Sequence, residues 1–419
     1  MNSVPFREVC QAIRETAFTN NNHLPIIVSL EVHADPDQQE LMVDIMKEEW
    51  EGLLLDEPFD ACDPKARQPR LDELLDKILI KVKKTPAKAS VPKGTQLSLP
   101  TISSLEEEGS EDELSPEAKS RKVPICESLS NLAIYTHSEH FKRFDTMSAK
   151  TPSHIFSINE NKILELHQSK HKEMFTHNRD YFMRAYPHSF RVDSSNLDPS
   201  LYWRKGVQMV ALNWQKWDEG MMLNTAMFDS EKGWVLKPTG YLSSDTSTSQ
   251  AEAHPHRTLN LRITVLAGQH IPLPESSTNN STKSLNVSGV SGADFRPYVK
   301  CELHVEKDEE RAGRAIEGGG RAREGQYKQK TKSRETNNPD FGKGMVLDFC
   351  NIPKVVEELS FVRFKIEDES KFLPVGELAA WACIRLDRLQ PGYRFINLLD
   401  AKGNPSDGKL LVKIEKSIR

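Results

Sequence analysis

The feature that most constrains this chain is an interruption. From Lys84 to about Val123 the sequence loses every apolar period: Pro, Ser, Lys and Gly dominate at first, and "SSLEEEGSEDELSPE" then places seven acidic residues between Glu106 and Glu117. Such a stretch cannot bury enough apolar surface to offset its chain entropy, so it is expected to be a disordered linker. Short apolar strands alternate with amphipathic segments before it, and the same alternation resumes after it. The chain therefore reads as one α/β layer system whose halves are joined through an insertion.

Before the interruption, Val9, Ile13 and Phe18 recur at helical spacing from Pro5 to Phe18, with proline in the first turn. "LPIIVSLE" reads as a strand. "DPDQQELMVDIMKEEW" reads as a second helix, with Asp35 as its N-cap and Pro36 at the first helical position. "EGLLLD" and "KILIKVK" are expected strands, with a helix predicted over "RLDELLDK" between them. After the interruption, "SLSNLAIYTH" and "VQMVALNW" read as strands around a mostly helical "SINENKILELHQSKHKEMFTHNRDYFMRAYP". This order predicts a parallel sheet.

Beyond a second polar stretch, "SSDTSTSQAEAHPH", the period changes. "TLNLRITVLAGQ", "FRPYVKCELHV", "GKGMVLDFC", "LSFVRFKIEDE", "YRFINLLDA" and "GKLLVKIEK" are short strands between turn residues, the signature of an antiparallel β-sandwich. A Gly- and Arg-rich insertion, "EKDEERAGRAIEGGGRAREGQYKQKTKSR", is expected to be a mobile, solvated loop. Its basic end offers a second reading as a contact for anionic lipid.

The apolar fraction of 37% and charged fraction of 28% suit two or three soluble domains. A net charge of −5 supplies no global basic field, so nucleic acid is not an expected partner. The six cysteines form no CxxC pair and no zinc-like spacing, and reduced thiols are expected. No window approaches the ~18 apolar residues of a membrane span. Contact with a membrane would then be peripheral.

In a parallel α/β barrel, chemistry gathers at the C-terminal ends of the strands. Glu31 ends one expected strand and Asp56 another, while "KVKK" ends a third. Period-two alternation puts Lys81 and Lys83 on one side of their strand, where two ammonium groups suit a phosphate. Read by themselves, Glu31 could equally leave its strand into solvent, and the lysines could be a solvated strand end.

Taken jointly, the segments resemble the eukaryotic phosphoinositide-specific phospholipase C family, delta-like or of fungal type. "FREVCQAIRETAF", "LPIIVSLEVHADPDQQ", "LLLDEPFD" and "KILIKVKK" are similar to the later part of its X half-barrel. "NLAIYTHSEHF", "FSINE", "RAYPHSFRVDSSNLDPSLYWRKGVQMVALNWQ", "GWVLKP" and "GYL" are similar to its Y half-barrel, and the remainder to its C2 domain. The resemblance implies an incomplete TIM-like barrel split by an acidic linker, followed by a C2-type antiparallel β-sandwich. Its parts would be residues 1–84 (X), 85–125 (linker), 126–242 (Y), 243–257 (second linker) and 258–419 (C2-like).

The resemblance further implies calcium-dependent cleavage of phosphatidylinositol 4,5-bisphosphate to inositol trisphosphate and diacylglycerol, by a cytoplasmic protein at an anionic membrane surface. The inositol 2-hydroxyl would attack phosphorus with two histidines as acid and base, and water would open the cyclic phosphate. Glu31 matches a Ca²⁺ ligand. Lys81 and Lys83 match lysines for the 4- and 5-phosphates, with Val82 where glycine is common, and Ser157, Arg184 and Tyr186 match headgroup-binding residues. Ser29 is assigned packing only, and His33 a loop role.

The family's catalytic histidines and remaining metal ligands would precede Phe6, and none of His23, His33, His137 or His140 matches their contexts. The expectation is a chain truncated within the X half-barrel and inactive as it stands. The alternative to an enzyme is a phosphoinositide-binding or adaptor fragment. Asp294 and Asp368 match C2 calcium-loop aspartates, although "DESKFLPVGE" lacks the further ones. The acidic linker is expected to cover the barrel mouth, with Ser104 and Ser110 as acidophilic-kinase sites.

Overall fold

In the computed structural model the described residues are 4–84, 123–189, 191–254, 257–274, 295–369 and 376–419. Ser104, Ser110, Asp294 and nearly all of the expected acidic linker lie outside them. The chain divides into two compact units, Met1–Phe156 and Ser157–Arg419.

In the first unit, β1 (Ile26–Ser29), β2 (Ile78–Lys83), β3 (His137–Glu139) and the first half of β4 (His154–Asn159) pair in that order, all parallel. The β2 sequence "ILIKVK" is buried on both sides up to Val82, with Ile78, Ile80 and Val82 on one side and Leu79 and Lys81 on the other. Ile78, Ile80 and Val82 pack with Val43, Met46 and Trp50, while Leu79 packs with Leu55, Cys62, Leu74 and Tyr135. A strand buried on two faces reads as a nearly continuous apolar run.

Helix α1 (Phe6–Thr16) lies against α2 (Pro36–Glu49). Trp50 Nε1 donates to the Cys10 carbonyl at 2.9 Å, and Arg7 reaches Glu48 and Glu49 at 2.8 and 2.6 Å. Asp35 caps α2 as expected, its Oδ1 accepting from the Gln38 amide at 2.9 Å. Three readings need correction here. "EGLLLD" makes one bridge, Leu54 to Ile78, because the turn closing α2 bonds Leu53 and Leu54 back to the Trp50 carbonyl. "RLDELLDK" forms only a 3-10 turn at Leu71–Leu74. "SLSN" belongs to α3 (Glu127–Asn131), held where the Cys126 amide donates to Gln39 Oε1 at 2.7 Å, so the strand starts later, at His137.

In the second unit, the end of β4 leads into α4 (Glu160–Asp180), β5 (Phe182–Tyr186), α5 (Pro199–Trp203), β6 (Met209–Val210), α6 (Glu219–Phe228) and α7 (Gln250–Ala253). β4 neighbours β5, and β5 pairs in parallel with β6. The stretch expected to be mostly helix is therefore strand, helix, strand, with Asn159 capping α4 by accepting from the Lys162 amide at 2.9 Å. "VQMVALNW" contributes only a two-residue strand. Residues 243–257, read as a linker, include α7, and Ser249, Gln250 and Ala253 are buried.

The antiparallel part comprises β7 (Leu259–Gln269), β8 (Pro297–His304), β9 (Tyr327–Lys330), β10 (Asp340–Ile352), β11 (Phe361–Asp368), β12 (Glu377–Arg385), β13 (Gly392–Asp400) and β14 (Pro405–Ile418). Their order is β10-β7-β14-β13-β12-β11-β8-β9. Alternate residues such as Leu261, Ile263, Val265, Val362, Phe364 and Ile366 fill its core. β9 and β12 went unread in the sequence, since "YKQK" has no apolar face and "ELAAWACIR" has few β-branched residues.

The expected mobile loop is instead packed. After a short helix, Asp308–Arg311, the segment crosses α5: the Asp198 amide donates to Gly320 O at 2.8 Å, and Leu197 bridges Arg321. Glu310 and Arg311 are buried, Glu310 against Arg204. Composition suggested solvation because the segment is polar, but Glu310 pairs with Arg204 of the α/β part, while Arg311 pairs with Glu306 and Asp308 with Lys354. Trp203, Leu223, Met227 and Tyr241 share an apolar cluster with Val356, Leu359 and Phe361. The fold class is thus an incomplete TIM-like parallel α/β barrel followed by a C2-type antiparallel sheet.

Candidate functional site

β1 and β2 run in register from Ile26 opposite Ile78 to Ser29 opposite Lys81. The ladder extends one bond further, from the Leu30 amide to the Lys81 carbonyl at 2.9 Å. Glu31 follows in the loop, with its side chain 91% exposed and Oε1 3.4 Å from His33 Nε2, which is equally open to solvent. Glu31 thus stands past the strand rather than at its last residue.

The two lysines of β2 differ. Lys83 is exposed, whereas Lys81 is only 4% exposed and its Nζ donates to Ser138 Oγ at 2.6 Å. An ammonium drawn this far from water needs acceptors to compensate its lost hydration. On β3, His137 is buried and its pKa falls to about 4, through burial first and then the nearby Lys84 and His154. It is neutral at physiological pH. Lys84 is itself shifted down by burial and by Lys65.

The second unit holds the other three residues. Ser157 on β4 and Arg184 and Tyr186 on β5 are all half-buried on neighbouring strands. Period-two alternation puts Arg184 and Tyr186 on one side of β5, and the guanidinium carbon lies 5.5 Å from the tyrosine ring centroid. A guanidinium is a fork of N–H donors whose geometry matches two oxygens of a phosphate or carboxylate.

The "R.DSSN…ALN" run is a scaffold. Arg191 makes a two-pronged ion pair with Glu160, at 2.5 and 2.6 Å. Fully buried Asn196 receives the Asn213 amide at 2.6 Å, gives its own amide to Asp218 at 2.7 Å, and donates its side chain to the Asn213 and Lys216 carbonyls. These bonds fix the loop after β5 to the start of α6. Sequence reasoning missed Ser138 because its signal is non-local: a hydroxyl 57 residues from the lysine it meets.

Among the described residues, no group of three or more His, Cys, Asp or Glu side chains could hold a metal ion. Calcium takes about six to eight oxygen ligands. Glu31 offers a single carboxylate, so these residues do not by themselves fit a calcium shell. In the C2-type part, Asp368 Oδ1 accepts the Arg296 amide at 2.7 Å, a structural use of that oxygen.

A parallel half-barrel with basic strand ends, followed in the chain by a C2-type antiparallel sandwich, defines the class as a split α/β barrel protein. The match is specific: the X domain of phosphatidylinositol-specific phospholipase C corresponds to residues 1–84 and its Y domain to residues 129–240. The chain carries matches to both the X and the Y domain of phosphatidylinositol-specific phospholipase C.

It is 28% identical to 1-phosphatidylinositol 4,5-bisphosphate phosphodiesterase 1 of Saccharomyces cerevisiae, over 96% of this chain and 47% of that protein. It is 27% identical to inactive phospholipase C-like protein 1 of Rattus norvegicus, over 95% of this chain and 34% of that one. The crystal structure of S. officinalis PLC21 has the same fold, with a TM-score of 0.72 at 24% identity, over 99% of this chain and 48% of that one. The chain spans about half the length, or less, of the curated relatives it matches.

Proposed function

We propose that this chain forms the headgroup-binding and C2-bearing portion of a phosphoinositide phospholipase C that hydrolyses phosphatidylinositol 4,5-bisphosphate at the cytoplasmic face of a membrane. The observation that carries this reading is Lys81, a buried ammonium held near the C-terminal end of a parallel strand, two residues before a second lysine on the same side. Lys81 and Lys83 would neutralise adjacent phosphates on the inositol ring. Ser157 would donate a hydrogen bond, Arg184 would grip a phosphate edge-on, and Tyr186 would lie along the apolar ring face.

Glu31 would contribute one carboxylate oxygen donor toward calcium, a single member of the six or more oxygen ligands the ion takes. No described helix is long and apolar enough to cross a membrane, which is compatible with peripheral attachment. The testing experiment measures binding of the purified chain to vesicles with and without phosphatidylinositol 4,5-bisphosphate, together with release of inositol trisphosphate. Headgroup-selective binding lost in Lys81→Gln and Arg184→Gln supports the site. Binding indifferent to the headgroup would refute it.

A second reading is a non-catalytic phosphoinositide-binding protein. It is favoured by the match to a relative named as inactive, at nearly the identity of the match to the yeast phosphodiesterase. Selective binding without calcium-stimulated release of inositol trisphosphate is its signature, whereas release by the purified chain sinks it.

A further inference from the structure

We propose that Ser138 is a positioning residue for the headgroup site, fixing the direction in which Lys81 presents its ammonium. The inference rests on the reading of Lys81 as a phosphate ligand.

The register supplies the geometry. Lys83 of β2 pairs with Ser138 of β3, so the two side chains leave the sheet on the same side and at the same height. Lys81 emerges on that side too, one pleat closer to the strand's start. Its Nζ nevertheless reaches Ser138 Oγ at 2.6 Å. The Lys81 side chain is thus drawn along the sheet toward the level of the Lys83 backbone.

A partner that holds the Lys81 ammonium before binding removes side-chain entropy that would otherwise be lost at each binding event, and Ser138 Oγ is such a partner. The two lysines then do different work. Lys81 is buried and anchored, so it senses where a phosphate sits on the ring. Lys83 is exposed and long, so it follows charge. The ligand class is a polyol carrying neighbouring phosphates, whether in a lipid headgroup or free in solution.

The experiment compares the full chain with its Ser138→Ala, Ser138→Cys and Ser138→Thr forms, alone and combined with Lys81→Gln. Binding is read on phosphatidylcholine vesicles doped with phosphatidylinositol 4,5-bisphosphate, on vesicles doped with phosphatidylserine, and by calorimetry with soluble inositol 1,4,5-trisphosphate. Ser138→Ala should weaken bisphosphate binding about tenfold, the size expected for a hydrogen bond to a charged group. Ser138→Cys keeps the shape with a weak acceptor and should behave alike if the alanine form folds poorly. Ser138→Thr should return to within about twofold of the parent, as it retains the hydroxyl acceptor.

Phosphatidylserine binding should not change, and Ser138→Ala should add nothing once Lys81 is glutamine. Losses that multiply independently would show that Ser138 acts by itself and overturn the positioning role. So would a Ser138→Ala protein that binds like the parent while Lys81→Gln binds weakly. If Lys81→Gln also binds like the parent, the headgroup reading of Lys81 falls along with this proposal. The same ranking with the soluble trisphosphate assigns the effect to the headgroup, while an effect confined to vesicles assigns Ser138 to the bilayer surface and overturns the role.

Discussion

The guanidinium of Arg204 and the carboxylate of Glu310 meet inside the second unit, with Nε donating to Oε2 at 2.8 Å and Nη2 to Oε1 at 3.1 Å, almost wholly shielded from water. Arg204 also donates to the Leu359 carbonyl at 3.2 Å. One residue ends α5 and the other lies in the segment after β8, so the pair ties the α/β part of the unit to its sandwich. Removing one partner leaves the other charged and buried, which costs about 3–5 kcal/mol. Arg204→Met and Glu310→Leu should each lower the urea midpoint of the second unit strongly, and the double substitution should recover much of the loss. Additive losses would mean that the two side chains do not act as a pair.

Asn196 carries a second prediction, because the motif that most sharply identifies the family is structural where it is most buried. Asn196→Ala strands the Asn213 amide and two carbonyls, and each buried group left unpaired costs about 1–3 kcal/mol. Thermal unfolding should therefore shift down by roughly 5 °C or more. Headgroup affinity per folded molecule should hold. A stable variant with weakened binding would instead place Asn196 at the ligand.

His137 predicts how the first unit responds to acid. Its pKa in the folded protein is lowered to about 4, from an ordinary value of 6.5, chiefly by burial. The unfolded chain therefore binds the proton more readily, and stability rises with pH across that window. The contribution is complete above about pH 6.5 and is lost as pH falls toward 4, amounting to about 3 kcal/mol. His137→Gln removes this titration, so the difference in unfolding free energy between parent and variant should shrink as pH drops from 7 to 4. A difference independent of pH would show that His137 is not buried as the neutral form.

How much could be read from sequence follows the range of the interaction. Asp35 as a cap, Lys81 and Lys83 on one side of a strand, and the apolar run of β2 all depend on residues a few positions apart. The strand pattern of the sandwich was legible for the same reason where β-branched residues alternate, as in β7 and β11. The misses are long-range. "SLSN" is helical where Gln39 holds its start, Leu54 gives up a strand to the turn at Trp50, and Ser138 becomes relevant only once β3 lies beside β2. The segment after β8 is the largest case. It was polar enough to be assigned to solvent, yet Glu310 meets Arg204 just past α5, and Gly320 accepts the Asp198 amide at the start of that helix.

That segment gives the last prediction. A Cβ on Gly320 would collide with Tyr202 Oη and lie 3.0 Å from Glu160 Oε2. Tyr202 is fully buried, and Glu160 is engaged by Arg191, so neither can easily retreat. Gly320→Val should therefore lift the segment from α5, whereas Gly342→Ala, where a Cβ meets nothing within 4 Å but φ is +63°, serves as a control for backbone strain in a glycine turn. Arg314, Arg321 and Arg323 are trypsin sites within or beside the docked stretch. Cleavage there requires local opening, and its rate follows the population of the open form when reclosing is fast. In the parent these sites should be cut slowly relative to arginines outside it, and in Gly320→Val they should be cut at least about tenfold faster, a shift of about 1.4 kcal/mol in the opening equilibrium. Equal and rapid cleavage in the parent and both variants would show that the segment is solvated, as its composition alone suggested. Rapid cleavage in Gly320→Val alone would establish the docking, and would also separate it from the strain that any side chain introduces at a glycine turn.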